Sequence, residues 1–177
     1  MRKIVLDIET NGLYNADTIW VAVLQDLETD KTIITLNEKD FKKNIKPDDI
    51  FIGHNFVQFD MYWLNKLWRT GIERSNVVDT LVLSTLFNPD RQGGHSLSSW
   101  GDRLNFPKSK HDDWSKLSPE MVDYCVQDVK VTAKLYKYLI KKEKLDFSDT
   151  SIRLEHDIAE VIAHQKRHGF YLDEQKA

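Results

Sequence analysis

Lys3-Ile4-Val5-Leu6-Asp7-Ile8-Glu9 is the stretch on which the fold turns. Ile4, Val5 and Leu6 are apolar on both alternating faces, as in a strand covered on both sides, so this segment reads as a buried central strand. Asp7 and Glu9 follow two residues apart, so their side chains leave the same face. A central strand that carries paired acids into the interior needs a reason for them.

Working outward, residues 18–26 and 32–36 are β-rich and separated by Leu27-Glu28-Thr29-Asp30-Lys31, which predicts a hairpin with a polar loop. A short helix over 38–45 is broken by Pro47-Asp48-Asp49 before a fourth strand at 50–52. Helical spacing over 57–69 places Phe56, Phe59, Trp63 and Leu67 on one side. Val77-Val78 predicts a brief fifth strand running into an apolar helix at 80–87, with a loop at 88–94 and a further helix near 96–104. Ser118-Pro119-Glu120 combines an N-cap, a proline at the first position and an acid in the first turn, so a helix starts there and runs to about 142. A last helix spans roughly 150–167 and stops at Gly169. Antiparallel hairpins followed by strand–helix alternation give an α/β domain on a mixed sheet of five strands flanked by helices. Residues 1–148 read as that domain and 149–177 as a C-terminal helix and tail.

Composition narrows the function. The 177 residues are 41% hydrophobic and 30% charged, which suits one soluble globular domain. The 25 basic and 28 acidic residues leave a net charge of −3, so no global basic field attracts nucleic acid. A nucleic-acid partner would need a local patch or bound metal ions. The lone Cys125 excludes a disulfide framework and a cysteine-based zinc site. No apolar run approaches the ~20 residues of a membrane span, and Asp7 arrives too early for a signal-peptide core. The expectation is a soluble protein of the cytoplasm, the host's if the source is viral, with no membrane partner.

Four acids occupy positions that stability alone would give to apolar side chains. Besides Asp7 and Glu9, Asp60 falls on the stripe Phe56, Asp60, Trp63 and Leu67. Asp128 lies on the inward side of its helix with Met121, Cys125, Thr132 and Leu135. An unpaired buried carboxylate costs several kcal/mol, and the basic residues cluster elsewhere in the sequence. Divalent cations would balance such a set, and oxygen ligands without thiolate point to Mg²⁺ or Mn²⁺. Taken singly, each acid has a plainer reading: a D-x-E pair more often ends at a solvated edge, and Asp60 or Asp128 could cap or pair with a base. Tyr124 sits one turn before Asp128 on the same helix face and could orient or deprotonate a water; without that neighbour it would read as a half-buried core tyrosine.

Three segments carry the acids: Asp7-Ile8-Glu9, His54-Asn55-Phe56-Val57-Gln58-Phe59-Asp60 and Tyr124-Cys125-Val126-Gln127-Asp128. Together they resemble the motifs of the DnaQ-like, RNase H-like 3′–5′ exonucleases with tyrosine in the third motif (DEDDy). Asp79-Thr80-Leu81-Val82-Leu83-Ser84, Gly94-His95-Ser96-Leu97, Trp100-Gly101 and Arg103-Leu104 extend the likeness to the proofreading domain of bacteriophage family A DNA polymerases. Glu155-His156-Asp157 and residues 165–170 resemble the lead-in to a polymerase domain. No thumb, palm or fingers segment follows Ala177, which leaves a stand-alone exonuclease or the front of a longer polymerase.

The resemblance implies an RNase H-like fold and release of nucleoside monophosphates from DNA 3′ ends with two divalent cations, Mg²⁺ or Mn²⁺. By motif, Asp7 would bridge both cations, Glu9 and Asp128 would complete the first, and Asp60 would hold the second. Tyr124 would orient the attacking water. Four carboxylates at −4 would meet two cations at +4. Thr10, Asn11, Gly12 and Leu13 follow the first motif and would lie beside the scissile nucleotide, with Leu13 as a candidate wedge and Asn55 as a hydrogen-bonding group. Arg103, Lys108, Lys110 and His111 form the candidate phosphate patch, although a solvated loop is an equal reading. His164 and His168 lack an H-E-x-x-H context and suit a helix C-terminus better than a metal. The five tryptophans read mostly as core. The apolar stripe Leu154, Ile158, Val161 and Ile162 predicts that the last helix folds back on the domain, leaving a monomer, with dimerisation as the alternative. Two other readings stand beside a DNA exonuclease: a non-catalytic DNA-binding or polymerase-docking module, which intact acids argue against, and an RNA-trimming enzyme of the same superfamily.

Overall fold

A computed structural model describes residues 1–143, 149–172 and 176. The proposed boundary at 148/149 therefore lies outside the described residues. Five strands, β1 (Lys3–Thr10), β2 (Ile19–Asp26), β3 (Thr32–Thr35), β4 (Ile50–Gly53) and β5 (Val77–Asp79), form one sheet in the order β3-β2-β1-β4-β5. β1 pairs antiparallel with β2 and parallel with β4, and β5 is parallel to β4. The sheet is mixed, as the hairpin-then-alternation pattern requires, and β1 lies at its centre.

The period-2 pattern of β1 decides both layers. Ile4, Leu6 and Ile8 enter one core with Phe41 of α1 (Glu38–Asn44) and Met61, Trp63 and Leu64 of α2 (Asp60–Leu67). Val5, on the other face, joins Val21, Val23 and Ile52. That face is covered by α3 (Thr80–Phe87), α4 (Leu97–Arg103) and α5 (Pro119–Glu143) through Leu83, Trp100, Met121, Cys125, Val129 and Leu135. Asp7 and Glu9 thus emerge from β1 on the side where α5 crosses. The β1–β2 register shifts between Glu9 and Thr10, a bulge of the kind that turns a strand end toward a site.

Two glycines are needed for close approach. A Cβ on Gly53 would lie 2.3 Å from the Phe56 ring, so only glycine lets β4 turn directly into that aromatic anchor. A Cβ on Gly101 would lie 2.9 Å from the Phe106 carbonyl oxygen and 3.1 Å from the Lys108 nitrogen, so α4 lets the following chain double back against it.

The second helix starts at Asp60, not at 57 as the periodicity suggests. Asp79 explains the delay. Its carboxylate accepts the backbone N–H groups of Asn55 (2.9 Å), Val57 (3.0 Å) and Leu81 (2.9 Å). Asn55 takes a left-handed φ of 63°. These bonds hold 55–57 in a turn and cap α3 with the same side chain.

The last helix, α6 (Thr150–His168), packs on the domain, but not through the expected stripe. Ile152, His156 and Ala163 are buried and Ala159 packs against the core. Leu154, Ile158, Val161 and Ile162 stay exposed, at 38–56% of their full surface. The inward face is the less hydrophobic one because a histidine does the joining. His156 Nε2 accepts the Asp79 N–H (2.8 Å), and Nδ1 lies 2.8 Å from the Ile152 carbonyl, to which it donates. Arg74 adds an ion pair to Asp157 at 2.5 Å. Gly169 ends the helix at φ 73°, its N–H bonded to the Gln165 carbonyl.

Burial lowers the pKa of His156, so the folded protein holds it neutral. Its stabilising contribution is complete above the unfolded histidine pKa of about 6.5 and is lost as pH falls toward the lower folded value. His156→Leu strands the buried Asp79 N–H and should cost about 1–3 kcal/mol at pH 7.5. In urea melts the gap between wild type and variant should narrow at pH 5.5. An equal gap at both pH values would contradict a neutral His156 joining α6 to β5.

Candidate active site

A cleft of about 540 Å³ opens at the C-terminal end of β1. Asp7, Glu9, Asp60, Tyr124 and Asp128 all line it, together with Thr10, Asn11, Gly12, Leu13, Asn55 and Lys108. Three elements bring the acids together. β1 supplies Asp7 and Glu9, α2 supplies Asp60 at its first residue, and α5 supplies Tyr124 and Asp128. Asp60 is fixed by the Ile8 N–H, which donates to its Oδ1 at 3.0 Å, so the second motif is tied to the backbone between the two acids of the first. Glu9, Asp60 and Asp128 retain only 7%, 3% and 3% of their surface.

This crowding disfavours charge. Loss of solvent first, then the Asp128 carboxylate, pushes Asp7 up to about 8. Glu9 rises to about 10, through burial first and then repulsion from Asp7 and Asp128. Asp60 is raised well above the carboxylate range by burial and Asp7, and Asp128 rises to about 6 through burial. Cys125 is buried beside them and burial raises its thiol pKa, so it stays a thiol that donates a hydrogen bond to Asp7 Oδ2 at 3.4 Å.

The donor set fits divalent cations. Asp128 Oδ1 is buried without a hydrogen-bond partner among the described residues. One carboxylate oxygen of Asp7, one of Glu9 and the Cys125 sulfur lie within 4.8 Å of one another. Buried, under-bonded carboxylate oxygens raised by mutual repulsion are what hard cations neutralise, whereas a protonated thiol adds little to such a site.

One expectation is corrected here. The basic residues cluster elsewhere in the sequence, yet the fold delivers one to the acids. Lys108 Nζ lies 2.5 Å from Asp128 Oδ2 and 4.5 Å from the Tyr124 ring centre. The rest of the expected phosphate patch does not assemble with it. Arg103 turns back to the Gln92 carbonyl and stacks on Trp100, 5.2 Å from the ring centre. Lys110 is exposed away from the cleft lining. His111 sits behind Tyr124 and packs edge-on against Trp114 at 4.7 Å. Asn11 borders the cleft, but its side chain bonds Asp17 and Thr18 and closes the 11–18 loop. Leu13 is 70% exposed at the rim, free to meet a ligand.

Four lining residues escaped the sequence reading of the site: Ile8, between the two acids of the first motif, and His54, Phe59 and Trp114. His54 and Phe59 sit inside the second motif, so motif membership was the available signal. His54 is held neutral, with burial taking its pKa down to about 4 and Nδ1 set 2.9 Å from the Thr80 hydroxyl. Trp114 is not core. It stands edge-on to Tyr124 at 5.5 Å, while its carbonyl accepts the Trp20 indole N–H at 3.1 Å. No periodicity marks a tryptophan in an irregular loop as a cleft wall.

Comparison with known proteins bears on this geometry. A family model described as 3′–5′ exonuclease, of the kind attached to A-type DNA polymerases, matches residues 1–144. The DNA-directed DNA polymerase of Escherichia phage T7 is 27% identical over 96% of this chain and 33% of its own length. That of Enterobacteria phage T3 is 27% identical over 73% of this chain and 26% of its own length. The chain thus spans about a third or less of these curated relatives. Among solved structures, Brucella melitensis NrnC bound to pGG superposes with a TM-score of 0.74 at 19% identity, covering 99% of this chain and 89% of that one. Phi29 DNA polymerase complexed with single-stranded DNA superposes with 0.57 at 15% identity, covering 93% of this chain and 36% of that one. The mixed five-stranded sheet is the RNase H-like fold of the DnaQ-like exonucleases, and the chain belongs to the 3′–5′ exonuclease domain family of A-type DNA polymerases.

Proposed function

We propose that this protein removes nucleoside monophosphates from DNA 3′ ends by metal-dependent hydrolysis, alone or as the proofreading part of a phage-type polymerase. The observation that carries the reading is the convergence of Asp7, Glu9, Asp60 and Asp128 on one cleft, with an Asp128 oxygen buried and unpartnered. Asp7, Glu9 and Asp128 would hold one divalent cation, with Asp7 shared and Asp60 holding a second. When bound, such cations supply an activated water and stabilise the departing 3′ oxygen.

The chain's own residues do the rest. Burial raises the pKa of Tyr124, so at neutral pH it is a phenol whose hydroxyl orients water and takes no proton. Ile8 N–H and the bonds from Asp79 fix Asp60 and Asn55 before substrate arrives. Leu13 on one rim and Trp114 on the other bound the space for a terminal nucleotide, and Trp114 offers a face on which a base can stack. Trimming of RNA is the second reading and fits the pGG-bound neighbour; DNA is preferred because the sequence relatives are DNA polymerases. Monomeric behaviour and a polymerase-domain partner belong to the same proposal.

With 5′-labelled DNA and RNA oligonucleotides and Mg²⁺ or Mn²⁺, the expected result is a one-nucleotide ladder from the 3′ end of DNA. Activity in EDTA, or shortening from the 5′ end, would contradict it. Frayed or single-stranded ends should be cut faster than paired ones, since each terminal step costs about 1–2 kcal/mol to unstack. Equal rates on blunt duplex and single strands would oppose that.

Tyr124→Phe and Asp128→Ala separate water orientation from ligation. Tyr124→Phe should lower turnover about 10²-fold, or roughly 2.7 kcal/mol of barrier, with Mn²⁺ affinity unchanged. Asp128→Ala should lose both turnover and Mn²⁺ affinity. Wild-type turnover in Tyr124→Phe would reduce Tyr124 to a packing residue.

A further inference from the structure

Lys108, expected from sequence in a phosphate patch, is held instead on one of the acids of the cleft. Its ammonium is 2.5 Å from Asp128 Oδ2, with side-chain exposures of 21% and 5%. It also lies 4.5 Å from the Tyr124 ring centre, in cation–π range. This is not a surface lysine that happens to reach an acid. Gly101 admits the Phe106–Lys108 backbone against α4. The Gln127 side-chain amide, adjacent to Asp128 on α5, donates to the Pro107 carbonyl at 2.9 Å. Lys134, two turns along α5, bonds the Leu104 carbonyl at 3.0 Å and sits 4.9 Å from the Phe106 ring centre. Three contacts therefore clamp the segment before Lys108 onto the helix that carries Asp128, and they direct the ammonium to the carboxylate oxygen next to the unpartnered one.

We propose that Lys108 is a resident counter-cation that competes with the divalent metal for Asp128. Resting on the metal-site reading above, it deepens that reading by naming what the incoming cation must displace. The ammonium neutralises one of four crowded carboxylates and lets the cluster form without metal. A cation that takes Asp128 as a ligand must break this ion pair and turn the ammonium toward the open cleft. The lysine thus stabilises the metal-free protein and weakens metal binding at the same time. Metal affinity is set by the difference between the two interactions with Asp128, not by the carboxylates alone.

Calorimetric titration of the whole chain with MnCl₂, without nucleic acid, tests this apart from catalysis. Lys108→Met keeps the length of the side chain and removes the charge. It should bind Mn²⁺ roughly tenfold tighter than wild type, the scale of one broken part-buried ion pair. Its metal-free melting temperature should be lower, while Lys108→Arg should behave as wild type in both readouts. A double-mutant cycle isolates competition from field repulsion. Asn, unlike Ala, keeps an oxygen ligand, so in an Asp128→Asn background Mn²⁺ still binds and the Lys108→Met change should alter its affinity by less than about twofold, because no ion pair is left to break. An unchanged or weaker affinity in Lys108→Met alone would overturn the proposal, as would a full tenfold gain that persists in the Asp128→Asn background. Absence of Mn²⁺ binding by wild type would instead overturn the metal-site reading, and the proposal with it.

Discussion

Repulsion among four carboxylates in one cleft is the constraint around which this domain is arranged. Burial raises the pKa of Asp7, Glu9, Asp60 and Asp128, and repulsion from neighbouring carboxylates raises the first three further. A fold selected for stability alone would replace them with apolar side chains. Their retention costs stability, which the surrounding structure offsets with fixed donors: the Ile8 N–H on Asp60, the Cys125 thiol on Asp7 and the Lys108 ammonium on Asp128. The amide and the thiol compensate only part of a charge, and the ammonium neutralises one carboxylate of the four. The cluster is left electron-rich and suited to cations of higher charge.

Asp79 is the hub that makes the geometry reproducible. It ends β5, caps α3 and bonds two backbone amides of the turn leading to Asp60. Its own N–H donates to His156, and Lys166 and Arg167 bond Gln58, so α6 is connected to the active-site turn at both places. The connection runs from α6 to the second motif. Whatever shifts α6 therefore acts on a residue two hydrogen bonds from the cleft.

Much of this was legible in the sequence because the signals are local and periodic. The run of apolar residues on both faces of 3–9 placed β1 at the sheet centre, and i, i+4 spacing put Tyr124 and Asp128 on one face of α5. Apolar spacing also located α2, yet it erred by three residues at the start. The Asp79 carboxylate, distant in sequence, takes the amides of Asn55 and Val57 and fixes the turn that precedes the helix. The same limit explains Lys108, whose approach to Asp128 depends on Gly101, Gln127 and Lys134 together. It explains α6 as well, where a buried histidine rather than the larger apolar stripe decides which face turns inward. Arg103 was drawn away from the cleft by Trp100 and the Gln92 carbonyl, partners that no charge pattern reveals.

The central claim is that the four acids form a cation site. Crystals of the protein grown without metal and soaked in MnCl₂, measured for anomalous scattering from manganese, test it directly. The account predicts manganese in the cleft, ligated by the carboxylates of Asp7, Glu9, Asp60 and Asp128, with the Lys108 ammonium withdrawn from Asp128. A cleft without manganese, or manganese bound only at other surface acids, would contradict it.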